Sequence, residues 1–267
     1  MAELLKANIL AHFAYYRRSR LLLAFLLVSL LLTGLSSLPA LFAHSGVQSF
    51  YSLKEIFSVL NGFLLFLAGG LGLFIISSHL RNRSLKMVFT KPCSPALWLM
   101  SAFMAAVAVS VLLNAIVLAG AVVLSLFWHL PIRAGLVFVS VNTLIASVEL
   151  ISYLMLLTML VHPAVAVALA LIFNADLFYS AQLWAQATIR SGSSGWFLRF
   201  LERLFHYVYL LLPMLFPFDK KTENIYSSLR VLHGEWAYLL YSLGYVLVLS
   251  AFFYCLTLFV LQRRRHI

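Results

Sequence analysis

Two carboxylates lie inside long apolar runs, where ionisable side chains are rare. Glu149 lies near the middle of the run 134–161, and Asp176 lies near the middle of the run 164–185. Neither run contains a Lys or Arg that could pair with them. A charge at the centre of a bilayer costs about 2.5–3.5 kcal/mol on insertion scales. We therefore expect both carboxyls to be protonated, hydrogen-bonded or in contact with water.

Asn142 and Asn174 accompany these carboxyls in the same two runs. The four side chains have two interpretations, which the sequence leaves open. They could line a substrate path or an interface between two copies of the chain. Alternatively, they could tie helices together through hydrogen bonds worth about 0.6–2 kcal/mol each. We predict no catalytic residue, and no metal site, because the scattered histidines do not combine with a carboxylate at ligand spacing on one helical face.

A second group that could do chemistry is a basic joint between two other apolar runs. Its candidate contact residues for a partner are Arg81, Arg83, Ser84, Lys86, Thr90 and Lys91. Pro92 and Pro95 would break a helix, and Ser94-Pro95 is a favourable N-cap and first-turn pair for the run that follows. Residues 81–90 can therefore form a short helix that ends there. It could pass a push from a soluble partner into the membrane, or it could only anchor the chain to anionic lipid.

The composition requires the bilayer as solvent. Of the 267 residues, 63% are apolar and 10% are charged, whereas soluble domains have roughly 45–50% and about 25%. The net charge of +11 does not indicate nucleic-acid binding, because the basic residues cluster at the ends of apolar runs, as the positive-inside rule requires.

Six apolar runs are long enough to cross as helices, which need about 20 residues each. They are residues 21–42, 56–78, 96–126, 134–161, 164–185 and 236–261. Every backbone group must be satisfied within lipid, so we predict an all-α integral membrane protein with one transmembrane domain over residues 1–267. Gly69, Gly70 and Gly72 permit close helix packing in the second run.

The basic residues also predict the orientation. With the N-terminus in the cytoplasm, the inner segments carry eleven of the 19 Lys and Arg, and the short outer loops carry only Lys54 and Arg133. Both termini and the basic joint are then cytoplasmic. The longer outer segment 186–235 holds another six basic residues, and it is a weaker indicator because the rule is clearest near span ends.

Two further helices are predicted outside the spans. Residues 1–19 place Leu5, Ile9, Phe13 and Tyr16 on one face, which is typical of an amphipathic helix in the inner interface. After the flexible break 191–195, a second amphipathic helix is expected on the outer interface or packed over the spans. Its polar face carries Arg199, Glu202, Arg203 and His206.

This layout resembles the type-2 permease family of ABC transporters. The local likeness is best at Leu85-Lys86-Met87-Val88-Phe89-Thr90-Lys91-Pro92-Cys93-Ser94, which is similar to a short helix ending at a Pro-x-Ser turn before the third span. Leu212-Pro213-Met214-Leu215-Phe216-Pro217-Phe218-Asp219 is similar to a Leu-Pro-Asn-Leu…Phe-Asp pattern before the last span.

The resemblance implies a permease subunit, more often for export than for uptake, in the cell inner (plasma) membrane. Two copies of a separate ATP-binding subunit would contact a short cytoplasmic coupling helix formed by the basic joint. A second permease copy and membrane lipid would be the other partners. ATP and Mg would be bound by the partner subunit, with no cofactor in this chain.

The sequence is consistent with that division of labour. It contains no Gly-Lys pair, so it lacks the phosphate-binding loop of an ATPase, and we do not expect this chain itself to be an enzyme. Two alternatives stay open. One is a proton-coupled secondary carrier that uses Glu149 and Asp176, and the other is a non-transporting membrane scaffold.

Overall fold

The structure, a computed structural model, describes residues 2–18, 23, 27–28, 31, 46–81, 94–191, 195–212, 229–232 and 234–264. Within these ranges the chain forms helices and no strand. The helices are α1 (Ala2–Arg18), α2 (Gly46–Arg81), α3 (Pro95–Phe127), α4 (Ala134–Leu160), α5 (Pro163–Ile172), α6 (Ala175–Arg190), α7 (Trp196–Leu211) and α8 (Glu235–Arg264).

Five stretches of the described chain are long and apolar enough to cross a membrane. They are Ser49–Ser78, Pro95–Phe127, Ala134–Leu160, Pro163–Arg190 and Glu235–Arg263. The first predicted span, residues 21–42, lies outside the described residues except for Leu23, Leu27, Val28 and Leu31, which are helical and exposed. The all-helical membrane class is therefore confirmed, and the count of six spans stays a prediction.

The spans begin where their sequences favour a helix start. Ser94 caps α3, because its Oγ accepts a hydrogen bond from the Leu97 N–H at 3.2 Å, and Pro95 occupies the first turn. The predicted Ser-Pro start of this span is thus confirmed. The α5 start repeats the arrangement, with His162 as the capping residue and Pro163 in the first turn.

Helix α4 is the centre of the bundle and contacts α2, α3, α5 and α8. The α2 contact is close because glycines replace side chains there. A Cβ on Gly69 would lie 2.9 Å from Leu154 Cδ1, and a Cβ on Gly72 would lie 2.9 Å from the Ile151 carbonyl oxygen. The predicted packing role is confirmed for these two glycines, whereas Gly70 has no such neighbour within 4 Å.

Helix α1 packs against the last third of α2 and the first turns of α3. The Tyr16 hydroxyl donates to the Leu71 carbonyl at 3.3 Å, and the His12 ring meets the Trp98 ring edge-on at 6.0 Å between centroids. Tyr16 and His12 are both buried. We call this end of the bundle the α1 end.

Helices α2 and α4 both begin at the end of the bundle opposite to the α1 end. The Arg133 guanidinium, directly before α4, lies 4.1 Å from the centroid of the Phe50 ring in the first turns of α2. The two helices therefore run parallel and both finish at the α1 end. Helix α1 and the start of α2 therefore lie at opposite ends of the bundle.

Helix α8 runs parallel to α4. Near its start, the Trp236 ring packs against the Phe138 ring at 5.7 Å between centroids. Further along, the Tyr254 hydroxyl donates to the Ala96 carbonyl at the start of α3, at 2.9 Å. Helix α8 thus begins at the opposite end and finishes at the α1 end.

The fifth apolar run differs from the continuous helix expected, because it is divided into α5 and α6. The Asn174 side chain takes over the hydrogen bonding of the backbone at this point. Its Oδ1 accepts from the Leu177 N–H at 2.8 Å, and its Nδ2 donates to the Leu171 carbonyl at 2.6 Å. The Tyr153 hydroxyl on α4 donates to the Phe173 carbonyl at 3.1 Å. These bonds satisfy polar groups that a break inside lipid would otherwise expose.

Helix α7 runs antiparallel alongside α6. Gln186 Nε2 donates to Glu202 Oε1 at 3.0 Å, and the Tyr179 and Tyr209 rings lie 5.6 Å apart between centroids. The 16 residues of α7 correspond to about 24 Å. Helix α7 therefore starts at the end of the bundle opposite to the α1 end and runs back along α6, instead of lying across the end of the bundle.

Candidate functional site

Helix α4 carries buried polar side chains on several of its sides. Its buried polar members are Ser140, Asn142, Thr143, Ser147, Glu149, Ser152 and Thr158. Four of the hydroxyls donate to carbonyls of their own helix, those of Thr143, Ser147, Ser152 and Thr158. These four are satisfied without a partner helix, so Ser140, Asn142 and Glu149 are the members that could interact beyond α4.

Ser140 ties α4 to α3. The Asn114 Nδ2 donates to the Ser140 carbonyl at 2.9 Å, and the Ser140 hydroxyl donates back to Asn114 Oδ1. This reciprocal pair uses both functions of the Asn114 amide. It is therefore an interhelical tie rather than a ligand site.

Asn142, a predicted path or interface residue, lies inside the subunit and is 1% exposed. Its Nδ2 has no hydrogen-bond partner among the described residues. On α2, Asn61 donates through Nδ2 to the Phe57 carbonyl at 2.7 Å, while its Oδ1 has no partner within the same described part of the chain. The amides lie in the same half of two helices that run parallel and in contact. Each amide is therefore a buried polar group with one hydrogen-bonding function left unused in the part of the chain that the structure describes.

Glu149 is also 1% exposed and lies near the middle of α4. Its carboxyl interacts electrostatically with the Tyr245 phenol of α8, and Tyr209 of α7 interacts with the same phenol. The Tyr245 hydroxyl donates to the Leu210 carbonyl, in the last turn of α7, at 2.6 Å. The carboxyl therefore lies where α4, α8 and the C-terminal end of α7 meet.

The other two predicted residues lie at the helix break. Asn174 uses both amide functions as the cap of α6, so its role in this structure is structural. Asp176 is half-buried in the first turn of α6, where the helix dipole favours a negative charge. Tyr153, one turn after Glu149, bonds the Phe173 carbonyl three residues before Asp176. The two carboxyls thus flank the same contact between α4 and the break.

The burial of Asn142 and Glu149 bears on the interface hypothesis. Both side chains are enclosed by helices of their own subunit. A second copy packed on the outside would not reach them in this conformation. Of the hypotheses left open, this geometry favours an internal path or internal hydrogen bonding.

The predicted coupling residues lie at the limit of the structure. Arg81 is the last residue of α2, and its side chain is outside the description. Arg83, Ser84, Lys86, Thr90 and Lys91 lie outside the described residues. The structure describes the two helices that flank these residues, α2 and α3, and α1 contacts both. Burial raises the pKa of the Tyr16 phenol well above its usual value, so this contact is made by a neutral hydroxyl.

Sequence reasoning missed Tyr245, Tyr153 and the position of α7. Tyrosines at apolar helix positions give no periodic signal that distinguishes them from core residues. The capping residue Asn174 was a possible signal for the break, because Asn directly before Ala-Asp is favourable at a helix start.

In the described ranges, no three His, Cys, Asp or Glu side chains lie together so that they could hold a metal ion.

No model of a known protein family matches the chain, and no curated protein matches it significantly. The function proposed for this chain is therefore based on the geometry above and on the resemblance of its layout and motifs to the type-2 permease family.

Proposed function

We propose that this chain is the membrane-spanning permease subunit of an ABC transporter, driven by a separate ATPase subunit. The observation that carries the proposal is the packing of α1 against both helices that flank the basic segment 82–93. Tyr16 contacts α2 through Leu71, and His12 contacts α3 through Trp98. A force applied to the segment would therefore move three helices together.

The course of the chain supports six crossings. Residues 18 and 46 lie at opposite ends of the bundle, and a crossing by the apolar run 21–42 would connect them. The five described stretches supply the other crossings. Both described termini and the basic segment then share the α1 end, which the charge distribution assigns to the cytoplasm. A soluble ATPase would find the basic segment, α1 and the C-terminal end of α8 on one surface.

The packing of α2 suggests how such a force would reach the buried polar residues of α4. Helix α2 has 36 residues, about 54 Å of rigid rod, and it meets α4 through the glycine contacts at Gly69 and Gly72. A tilt of α2 would move α4, which carries Asn142 and Glu149, relative to α8. ATP and Mg would act in the partner subunit, and this chain would supply the path and the transmission. The same arrangement serves export or uptake, and the resemblance favours export.

The first test is purification of the tagged chain from its native membrane. We expect a stoichiometric partner that carries a Gly-x-x-x-x-Gly-Lys-Ser/Thr phosphate loop. Charge reversal by Arg83→Glu with Lys86→Glu should release that partner while the permease keeps its elution volume. Lys54→Glu with Arg190→Glu, at the opposite end, is the matched control and should retain it. If the wild-type complex contains no phosphate-loop ATPase, the proposal fails.

A proton-coupled secondary carrier is the second candidate. The observation in its favour is the break between α5 and α6, which lies beside the Asp176 carboxyl. A second carboxyl, that of Glu149, is buried on α4, the helix that α5 contacts. Broken helices near the midplane are a feature of many ion-coupled carriers.

The carrier hypothesis requires activity without an ATPase. The chain alone, reconstituted in vesicles with a pH-sensitive dye inside, should carry protons, and Glu149→Gln or Asp176→Asn should abolish the flux. A flux that requires ATP would eliminate this candidate. The absence of any flux from the lone chain would leave the permease proposal intact.

A further inference from the structure

Helix α7 has three distinct faces. Glu202, Phe205 and Tyr209 are half-buried and contact Gln186, Phe178 and Tyr179 of α6. A second face is exposed and apolar, with residues at alternating spacings of three and four: Phe197, Phe200, Leu204, Tyr207 and Leu211. The third face is exposed and basic, with Arg199, Arg203 and His206 at spacings of four and three.

The packing turns the acidic residue of α7 away from this basic face. Glu202 accepts the hydrogen bond from Gln186, so its carboxylate is directed to α6. Arg199 and Arg203 remain exposed beside it. A helix that only filled space against α6 would need no such division of its free surface into a cationic half and an apolar half.

Two exposed tryptophans indicate the depth of the arginines. Trp196, 79% exposed, begins α7, and Trp184, 60% exposed, lies on α6 about two turns before its end. Exposed Trp at a span end is typical of the headgroup level. Arg199 and Arg203 follow Trp196 within about 11 Å along the helix axis. Their side chains can therefore reach the headgroup level while the apolar face lies against acyl chains.

We propose that the basic face of α7 binds the phosphate of an anionic phospholipid, whose acyl chains lie along the adjacent apolar face. Each guanidinium presents paired N–H donors that match two phosphate oxygens, and Arg is the side chain best suited to such bidentate contact. Two arginines one turn apart on one face provide charge complementarity to a single phosphodiester. The site commits to a lipid, because only a lipid would use the cationic and apolar faces together.

This inference is independent of the proposed transport function, because lipid binding to α7 needs neither ATP nor a partner subunit. It depends on the exposure of the basic face and on the position of α7 beside α6. The orientation proposed above would assign the bound lipid to the outer leaflet.

The test uses the full chain, purified in detergent, delipidated and titrated with defined lipids under native mass spectrometry. We expect phosphatidylglycerol to bind more tightly than phosphatidylcholine, and the preference to weaken as salt rises. Arg199→Gln with Arg203→Gln should weaken phosphatidylglycerol binding roughly 25-fold, about fivefold for each arginine. Arg190→Gln with Arg263→Gln removes two exposed arginines elsewhere and should leave binding within about twofold of wild type.

A second variant guards against misfolding. Arg199→Lys with Arg203→Lys keeps the charge but loses the paired donors, so it should bind at an affinity between wild type and the Gln variant. Equal binding of phosphatidylglycerol to wild type and the Gln variant would overturn the inference. The inference would also be overturned if phosphatidylcholine bound the wild type as tightly as phosphatidylglycerol, because binding would then depend on apolar contact alone. Displacement of the lipid by millimolar inorganic phosphate would also overturn it, because the site would then recognise a free anion.

Discussion

The contact between α2 and α4 allows a prediction with an internal control on the same helix. In Gly72→Ala, the new Cβ would lie 2.9 Å from the Ile151 carbonyl oxygen and 3.2 Å from its Cα. Both are backbone atoms of α4, so no side chain can rotate to make room. In Gly70→Ala, the new Cβ would meet no heavy atom within 4 Å. The two substitutions add the same methyl group to the same helix two residues apart.

The expected magnitude follows from these distances. Ordinary contact begins at 3.4 Å, so the Gly72→Ala methyl group requires the helices to separate by about 0.5 Å, the difference from 2.9 Å. Overpacking of this kind costs typically 1–3 kcal/mol. Replacing Gly by Ala also favours a helix by about 1 kcal/mol, and that gain applies equally to both variants. We therefore expect Gly72→Ala to be less stable than Gly70→Ala by about 1–3 kcal/mol.

The assay is reversible unfolding in mixed micelles by titration with sodium dodecyl sulfate, followed by tryptophan fluorescence. The difference between the two free energies of unfolding is the quantity of interest, because the shared helix-propensity gain cancels in it. If Gly72→Ala proves as stable as Gly70→Ala or more stable, then α2 and α4 do not approach closely at this point. Motion of α2 would then have no rigid contact through which to move α4.

Three further predictions concern single contacts. Tyr245→Phe removes the hydroxyl that bonds the Leu210 carbonyl and should lower the free energy of unfolding by about 0.5–1.5 kcal/mol; an unchanged value in the same titration would mean that the end of α7 is not held there. Gly135→Ala would place a Cβ against the backbone of Leu229, so it should destabilise by at least as much as Gly72→Ala; normal expression and stability would contradict that contact. Because burial raises the pKa of Tyr16, its neutral phenol contributes stability that is fully present below pH 10 and is lost as the pH rises beyond it. Tyr16→Phe should therefore reduce the loss of stability in alkaline micelles, and an identical loss in the variant and the wild type would show that Tyr16 does not titrate on unfolding.

Several local features were predictable because their causes lie within a few residues. The Ser94-Pro95 start of α3 needs only a capping oxygen and a residue with a fixed φ angle, and both are read directly from the sequence. The glycines at 69 and 72 likewise indicated close packing, although the sequence did not distinguish them from Gly70. That distinction depends on which side of α2 faces α4.

The candidate site was predictable only in part. The presence of Glu149 and Asn142 in apolar spans was evident from the sequence, and their burial is typical of polar groups in such spans. Their surroundings were not predictable, because Tyr245 approaches Glu149 only through the packing of α8 on α4. The break before Asp176 also escaped sequence reasoning, since the long apolar run outweighed the one local signal, an Asn174 favourable as a helix cap.

The amino-acid sequence by itself determined the class of this protein. Long apolar runs with charges at their ends cannot be buried in a soluble domain, and a helix satisfies its own backbone groups inside lipid. Only the tertiary structure decided which polar groups meet. Tyr16 and Leu71 are 55 residues apart, and Tyr245 and Leu210 are 35 residues apart, so their contacts depend on which helices are neighbours. Apolar surfaces pack without directional preference, and the glycine contacts and scattered hydrogen bonds select one arrangement among many of similar hydrophobicity.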